Sequence, residues 1–353
     1  MIYFDAKRSF CKPNPLKAVS EHIVMKNRQN SIAALALSLI ALFHCQVFSQ
    51  RVEKYSVFFG RCAVYNDTNS YIALRSFSRA GRPYYLVVNT RDLFTRIVAR
   101  DSGRCGRASL AEMRREFQAD PYITALDSAE RRSTLVQDAG LTHGSVRQKG
   151  IDLTADLCPS KLPLDRQFFA ELIDQFMPEE KPIPIALSVT GNWMNGHQED
   201  LRWLIGLAKK GDLAITWINH SYNHRWYDSV PVQENFLLQK GTNLDLEVLK
   251  TERKMIEYGI TPSVFFRFPG LVSDSLVFAK ITAYGLIPVG TDAWLAKNQL
   301  PKDGSIVLVH ANGNEPYGIK RFFKLIREHR DSISAGKWML YDLRESIASE
   351  KSR

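Results

Sequence analysis

Six titratable side chains in the second half of the chain are of types that transfer protons or bind metal ions. His220 and His224 are four residues apart, so on a helical turn both imidazoles face one side and can reach one ion. Each of the six follows or ends a strand-like stretch; they are Asp156, His220, His224, Arg267, Asp292 and His310. A glycosidase would need two facing carboxylates, whereas here carboxylates accompany histidines. These residue types therefore favour another kind of acid–base chemistry.

Strand-like and helix-like segments alternate from Gly150 onward, which predicts parallel strands joined by helices. The strand-like segments are GIDLTAD, PIPIALSVT, DLAITWIN, VFFRFPG, LIPVG and SIVLVHANG, and helices are predicted through RQFFAELIDQF, QEDLRWLIGLAKKG, LDLEVLKTERKMIEYGI, SDSLVFAKITAYG and IKRFFKLIREH. The predicted fold is α/β, an incomplete (β/α) barrel of the TIM type. In such barrels the strand ends meet at one rim, so we expect the six side chains to surround one hollow.

Five short motifs give the sequence a family resemblance. HSYNH (220–224) resembles the H-S/T-x-x-H motif of the polysaccharide deacetylases, the NodB-homology enzymes of carbohydrate esterase family four. TADLCP (154–159) falls where that family has T-F-D-D-G-P, and RFPG (267–270), DAW (292–294) and LVH (308–310) resemble its later motifs in order. The resemblance covers about residues 150 to 330, and motifs in order at strand ends are more specific than any one alone.

The resemblance implies a role for each matching residue. His220 and His224 would bind a divalent metal, and Asp156 would be the base that takes a proton from the attacking water. Arg267 would orient that base, while His310 would protonate the departing amine with Asp292 holding it in its charged form. Substrate contacts are assigned to Trp294, as one wall of an acetyl pocket, and to Tyr222 and Pro269.

Leu157 departs from the family pattern, because a second aspartate, the third metal ligand, belongs at that position. Catalytic zinc normally has three protein ligands, so two histidines alone form a weak site. Asp152 lies roughly 13 Å up the same strand and cannot easily substitute. The replacements that remain open are Asp156 itself, Asn219, Asn223, Asp228 and Cys158. A thiolate at Cys158 suits zinc, although a small buried cysteine packed in a turn explains it equally well.

The amino end is typical of an export signal. The run SIAALALSLIALF (31–43) follows Lys26 and Arg28 and is followed by Val47-Phe48-Ser49, so we expect a signal peptide over residues 25 to 49 with cleavage after Ser49. Residues 1 to 24 make an awkwardly long leader, and we expect translation to start at Met25. Thirteen apolar residues fall short of a membrane span, so the expected location is periplasmic or extracellular, with membrane anchoring if the signal is retained.

Residues 50 to 145 are predicted to form a small β-rich accessory domain with helices, followed by a deacetylase-like domain over residues 150 to 345. Its predicted strands begin with YSVFF and RCAVY, and amphipathic helix is predicted through LAEMRREF and LDSAERRSTLVQ. Cys62 and Cys105 could form a disulfide in an oxidising compartment. The chain has 353 residues, 45% of them hydrophobic, which argues against general disorder. Its net charge of +10 is spread over scattered arginines, which argues against a nucleic-acid partner.

The leading functional prediction is a metal-dependent deacetylase that removes N-acetyl groups from a cell-envelope or exported polysaccharide, peptidoglycan-like or chitin-like. A non-catalytic carbohydrate-binding protein with a degenerate site is the alternative, which Leu157 favours. The retained Asp156, Arg267, Asp292 and His310 favour the enzyme. Hydrolysis of another amide or ester on the same scaffold also stays open.

Overall fold

A computed structural model describes residues 51–176 and 181–349. The predicted signal peptide and the segment that precedes it lie outside the described residues. Within the described part of the chain, no helix is both long enough and apolar enough to cross a membrane. Residues from Gln50 onward belong to one compact unit. The division into an accessory and a deacetylase-like domain stays a prediction.

An antiparallel sheet of five strands comes first, in the order β4-β3-β2-β1-β5. Its strands are β1 (Val52–Val64), β2 (Tyr71–Arg79), β3 (Arg82–Asn89), β4 (Thr95–Ala99) and β5 (Gly103–Arg107). The sequence suggested two strands, YSVFF and RCAVY, where the structure has β1 without a break. Gly60 lies at the junction, and a Cβ there would come within 2.0 Å of the Gly106 carbonyl oxygen, so glycine permits the close approach of β5.

A curled, parallel sheet forms the half-barrel, in the order β10-β9-β8-β7-β6-β12-β11, with β13 also paired to β6. Its strands are β6 (Lys149–Leu157), β7 (Ile183–Val189), β8 (Leu213–Asn219), β9 (Phe265–Phe266), β10 (Ile287–Pro288), β11 (Ala293–Trp294), β12 (Ile306–His310) and β13 (Trp338–Leu340). The central strands are nearly continuous runs of buried residues, as expected when both faces of a parallel sheet are covered. The predicted fold class is therefore confirmed.

Helices connect and cover the strands. They are α1 (Leu110–Glu116), α2 (Pro121–Glu130), α3 (Arg166–Asp174), α4 (Gly191–Gly196), α5 (Gln198–Lys210), α6 (Leu244–Glu257), α7 (Ser275–Ala283), α8 (Pro316–Glu328), α9 (Arg330–Ser334) and α10 (Leu343–Ala348). Side-chain caps fix several starts: Asn243 accepts a hydrogen bond from the Leu246 N–H at α6, and Asp274 accepts one from the Val277 N–H at α7. The helix predicted through LDSAERRSTLVQ ends earlier, at Glu130.

The five-stranded sheet packs against the half-barrel through a shared apolar core. Ile72 and Leu74 of β2 belong to the same buried cluster as Phe265 of β9 and Phe278 of α7. Cys62 and Cys105 are directly opposite each other on β1 and β5, and the structure joins them in a disulfide. Cys158 is the free cysteine of the described residues.

Candidate metal and hydrolase site

The strand register brings most of the predicted residues to one rim of the half-barrel. His310 ends β12 opposite Asp156, which is near the end of β6. Asn219, the last residue of β8, pairs with Phe266, so His220 and Arg267 leave their strands side by side. Because carboxyl ends of parallel strands share one edge, residues distant in sequence become neighbours here.

His220, His224 and Cys158 form the tightest cluster at this rim, which we call the Cys–His–His cluster. One ligand atom from each residue lies within 4.8 Å of the others. The Cys158 sulfur is 3.5 Å from His220 Nε2. The other ring nitrogen of His220, Nδ1, is 2.9 Å from the Arg267 carbonyl oxygen, which can only accept, so Nδ1 carries a proton and Nε2 is the nitrogen that faces the cluster. Histidine ligands of metals are commonly oriented in this way.

The loop that presents the two histidines is locally strained and firmly held. Ser221 and His224 have positive φ angles of 67° and 49°, a region that residues other than glycine seldom adopt. The buried carboxylate of Glu247, on α6, accepts hydrogen bonds from the Tyr222 and Asn223 N–H groups at 2.9 and 2.8 Å. Such strain is usually kept at sites where the surrounding structure imposes a particular side-chain direction.

The donor set fits a metal ion on two observations. His224 Nε2 is buried and has no hydrogen-bond partner in the structure. An unpaired buried nitrogen destabilises the folded state unless another group, such as a metal ion, binds it. One thiolate and two imidazoles are ligands that zinc accepts in tetrahedral sites that leave one position open. Of the replacements left open by Leu157, Cys158 is the one that the structure places in this cluster.

Asp156 and Arg267 form a buried pair next to the cluster. Arg267 Nη1 is 3.0 Å from Asp156 Oδ1 and donates also to the Thr154 hydroxyl, while Nη2 donates to the Gly290 carbonyl. The second carboxylate oxygen of Asp156 is 3.7 Å from His220 Nε2. Burial alone would raise the pKa of Asp156, but the charges of Arg267 and of His220 outweigh it and lower that pKa below its ordinary value. Asp156 is therefore ionised and faces the cluster.

His310 has a different carboxylate beside it than the sequence suggested. Its Nδ1 is 2.8 Å from Glu315 Oε2, an ion-pair distance without the alignment of a hydrogen bond. Burial alone would lower the pKa of His310, whereas contacts with Cys158 and Glu315 raise it well above its ordinary value. Glu315 also accepts a 2.8 Å hydrogen bond from the Trp294 indole, whose ring centre is 5.8 Å from that of His310.

Asp292, the expected partner of His310, is placed elsewhere. Its Oδ2 is 2.8 Å from His143 Nδ1. Ala293 pairs with Val307, so Asp292 lies at the level of Ile306, about 13 Å down β12 from His310. Asp292 immediately precedes β11 instead of following the end of a strand, as the sequence pattern had indicated. Nothing in the sequence singled out Glu315 except its position in the loop that follows LVH.

The remaining predicted residues lie around the rim with structural contacts. Tyr222 is buried against Gly191, and its hydroxyl accepts a hydrogen bond from Asn195 at 3.0 Å. Pro269 is buried at the start of a short turn. Leu157 lies in the apolar core. Asn219 donates to the Val248 carbonyl, Asn223 to Glu247, and Asp228 accepts from Trp226.

The cluster also affects the ionisation of Cys158. Burial alone would raise the pKa of its thiol, but the adjacent His224 and His220 lower it well below the ordinary value. Burial likewise would lower the pKa of His220, while Asp156 and Cys158 raise it. A thiolate beside imidazoles is the ionisation state in which cysteine binds metals.

Solved structures provide the comparison with known proteins. No model of a protein family matches the chain. It is similar to the solved structure of a family 4 carbohydrate esterase from Bacillus anthracis, with 20% identity over 64% of this chain and 91% of that chain and a TM-score of 0.44. A chitin deacetylase from the fungal pathogen Colletotrichum lindemuthianum matches with 18% identity over 58% and 89% of the chains and a TM-score of 0.38. The neighbours belong to the family that the five motifs resemble.

A pseudoenzyme of the same family from Bacillus anthracis covers more of the chain. It matches 86% of this chain and 91% of that chain at 9% identity and a TM-score of 0.41. A shared fold does not fix activity, so the residues of the site must carry that argument.

Proposed function

We propose that this protein is a metal-dependent deacetylase that removes acetyl groups from an N-acetylated polysaccharide of the cell envelope or of exported material. The observation that carries the proposal is the Cys–His–His cluster lying between a buried, ionised Asp156 and a buried His310. A protein that only binds carbohydrate does not need a base such as Asp156 and an acid such as His310 beside the same set of metal ligands.

The metal would be held by Cys158, His220 and His224, and zinc is the ion that best suits this donor set. When bound, it supplies Lewis-acid polarisation of the acetyl carbonyl and a water of lowered pKa. Cys158 thus takes over the part of the aspartate that the family pattern expects at Leu157.

The chain's own residues supply the proton transfers. Asp156 accepts the proton of the attacking water, and Arg267, which also donates to the Thr154 hydroxyl, holds the Asp156 carboxylate toward the cluster. His310 carries a proton that it delivers to the departing amine, and Glu315, 2.8 Å away, stabilises its charged form. Trp294 offers an apolar face beside His310, where the acetyl methyl group would lie.

Export from the cytoplasm is part of this proposal. It rests on the predicted signal peptide and on the Cys62–Cys105 disulfide, which persists in oxidising compartments. Peptidoglycan-like and chitin-like chains are the substrates that such a location would offer.

Metal content and acetate release together test the proposal. Purified protein should contain close to one equivalent of zinc and release acetate from N-acetylglucosamine oligomers. His220→Ala should lose both, because it removes a ligand. His329→Ala is the matched control, since the His329 ring packs on Trp338 of β13 and is outside the Cys–His–His cluster, and this variant should keep both properties. Oligomer binding without metal or acetate release would instead establish the non-catalytic binding protein.

A further inference from the structure

Trp226 is a large aromatic residue that the fold leaves in solvent next to the candidate site. Two residues beyond His224, it keeps 46% of its surface exposed. Its ring centre is 5.0 Å from that of Phe236, and the Phe236 ring packs edge-on against His224 at 5.1 Å. The indole and the His224 imidazole are therefore within about 10 Å of each other, joined by one buried ring.

The indole is held in place rather than loosely attached. Its N–H donates to Asp228 Oδ1 at 2.7 Å. The segment around it closes on the buried Asn235, whose side-chain amide donates to the carbonyls of Tyr227 and Val230 and whose oxygen accepts from the Tyr227 N–H. An ordered surface indole loses little conformational entropy when a ligand covers it.

Phe236 packs on the RFPG motif and so links that motif to the loop that carries Trp226. A Cβ on Gly270 would come within 2.2 Å of the Phe236 ring, so the absence of a side chain there makes room for that ring. The same motif contributes Arg267, which holds Asp156. Phe236, which supports Trp226, and Asp156, the proposed base, therefore both contact the turn formed by the RFPG motif.

We infer that Trp226 is a stacking platform for a sugar unit adjacent to the one that is deacetylated, so that the substrate is an oligomer or polymer rather than a monosaccharide. This inference rests on the proposed function and adds a specificity-determining residue. A pyranose ring has a face of C–H groups and a rim of hydroxyls, which complements a flat indole with the Asp228 carboxylate at its edge.

The test compares Trp226→Ala and Trp226→Phe with the wild-type protein on N-acetylglucosamine oligomers of increasing length. Dissociation constants are measured by calorimetry and KM by acetate release. Trp226→Ala should weaken binding of the tetramer about threefold to tenfold and leave cleavage of a small acetyl ester unchanged. Trp226→Phe, which keeps a ring, should recover most of the loss.

Tyr65→Ala is the matched control, because Tyr65 is an aromatic residue 62% exposed beyond the end of β1. The wild-type protein could bind longer oligomers more tightly, lose this length dependence in Trp226→Ala, and yet release no acetate. That result would support the stacking platform and refute the deacetylase. Equal affinities for wild type and Trp226→Ala, the same loss in Tyr65→Ala, or no oligomer binding by the wild-type protein would each overturn the platform.

Discussion

Cys158 stands two residues after the candidate base, next to the position where the family pattern expects a third metal ligand. Leu157 belongs to the apolar core, whereas the sulfur of Cys158 is 3.5 Å from His220 Nε2. On the proposed function, the third ligand lies one position further along the chain than the family pattern expects. A thiolate in place of a carboxylate would favour zinc over hard cations.

Removing the sulfur should weaken metal binding. Cys158→Ser should lower zinc affinity by at least about tenfold, because losing a direct ligand costs no less than disturbing an outer one. Competition with a chromogenic chelator measures the affinity, and the cobalt-substituted protein should lose its thiolate-to-metal absorption band.

Ser160→Ala, in the same loop but outside the Cys–His–His cluster, serves as the control for the Cys158 variant. Its zinc affinity should match that of the wild-type protein. If Cys158→Ser retained both the affinity and the cobalt band, the cysteine would be a buried packing residue and the third ligand would lie elsewhere.

At the scale of elements, β6 carries two buried carboxylates with opposite properties. Asp156 at its end has a guanidinium partner and stays ionised, whereas Asp152 in its middle has only the Ser346 hydroxyl, which is 2.9 Å from its carboxylate oxygens. Burial raises the pKa of Asp152 well above its ordinary value. The same strand therefore carries an ionised carboxylate at the rim and a protonated carboxyl group in the core.

The raised pKa of Asp152 makes stability depend on pH. The folded protein retains this proton to a higher pH than the unfolded chain, whose Asp152 titrates near 3.8, so this contribution to the free energy of unfolding falls as pH rises through that window. Asp152→Asn removes the titration. In urea unfolding from pH 4 to 8, the free energy of unfolding of the variant, relative to that of the wild type, should increase as pH rises. Asp303→Asn, an exposed position, should run parallel to the wild type, and a parallel curve for Asp152→Asn would contradict the assignment.

At the scale of the whole molecule, the five-stranded sheet is fastened to the half-barrel by a buried ion pair. Arg75 of β2 donates to both carboxylate oxygens of Glu252 on α6, at 2.7 and 2.9 Å, and to the Tyr284 carbonyl. Tyr55 of β1 donates to the same carboxylate. Such a pair fixes the orientation of the two parts more than it stabilises them, because both charges have lost their hydration.

Breaking the pair on one side should be costly. Glu252→Leu should lower the free energy of unfolding by about 3–5 kcal/mol, because it leaves Arg75 buried without a counter-charge. Combining it with Arg75→Met should recover much of that loss, and a double-mutant cycle by urea unfolding measures the coupling. The exposed pair Arg61–Glu116 is the control, where Glu116→Gln should change stability by about 1 kcal/mol or less. A similarly small effect at Glu252 would show that the contact is dispensable.

Local patterning of the chain is sufficient to predict the alternation of strands and helices, and with it the incomplete barrel, since hydrophobic periodicity and turn residues are local properties. Because strand ends in such a fold share an edge, the same patterning predicts one rim for Asp156, His220, His224, Arg267, Asp292 and His310. Asp292 is the member of this set that the structure places elsewhere, beside His143. Cys158 was one of several open substitutes for the missing ligand.

Which side chains meet at the site depends on the packing of the strands. The register between β11 and β12 sends Asp292 to His143 and leaves Glu315 beside His310, and no local pattern encodes a register between strands distant in sequence. The turn after β6 aims Cys158 at two histidines more than sixty residues away. The choice of partners depends on how the strands pack across the barrel, which is a property of the whole fold.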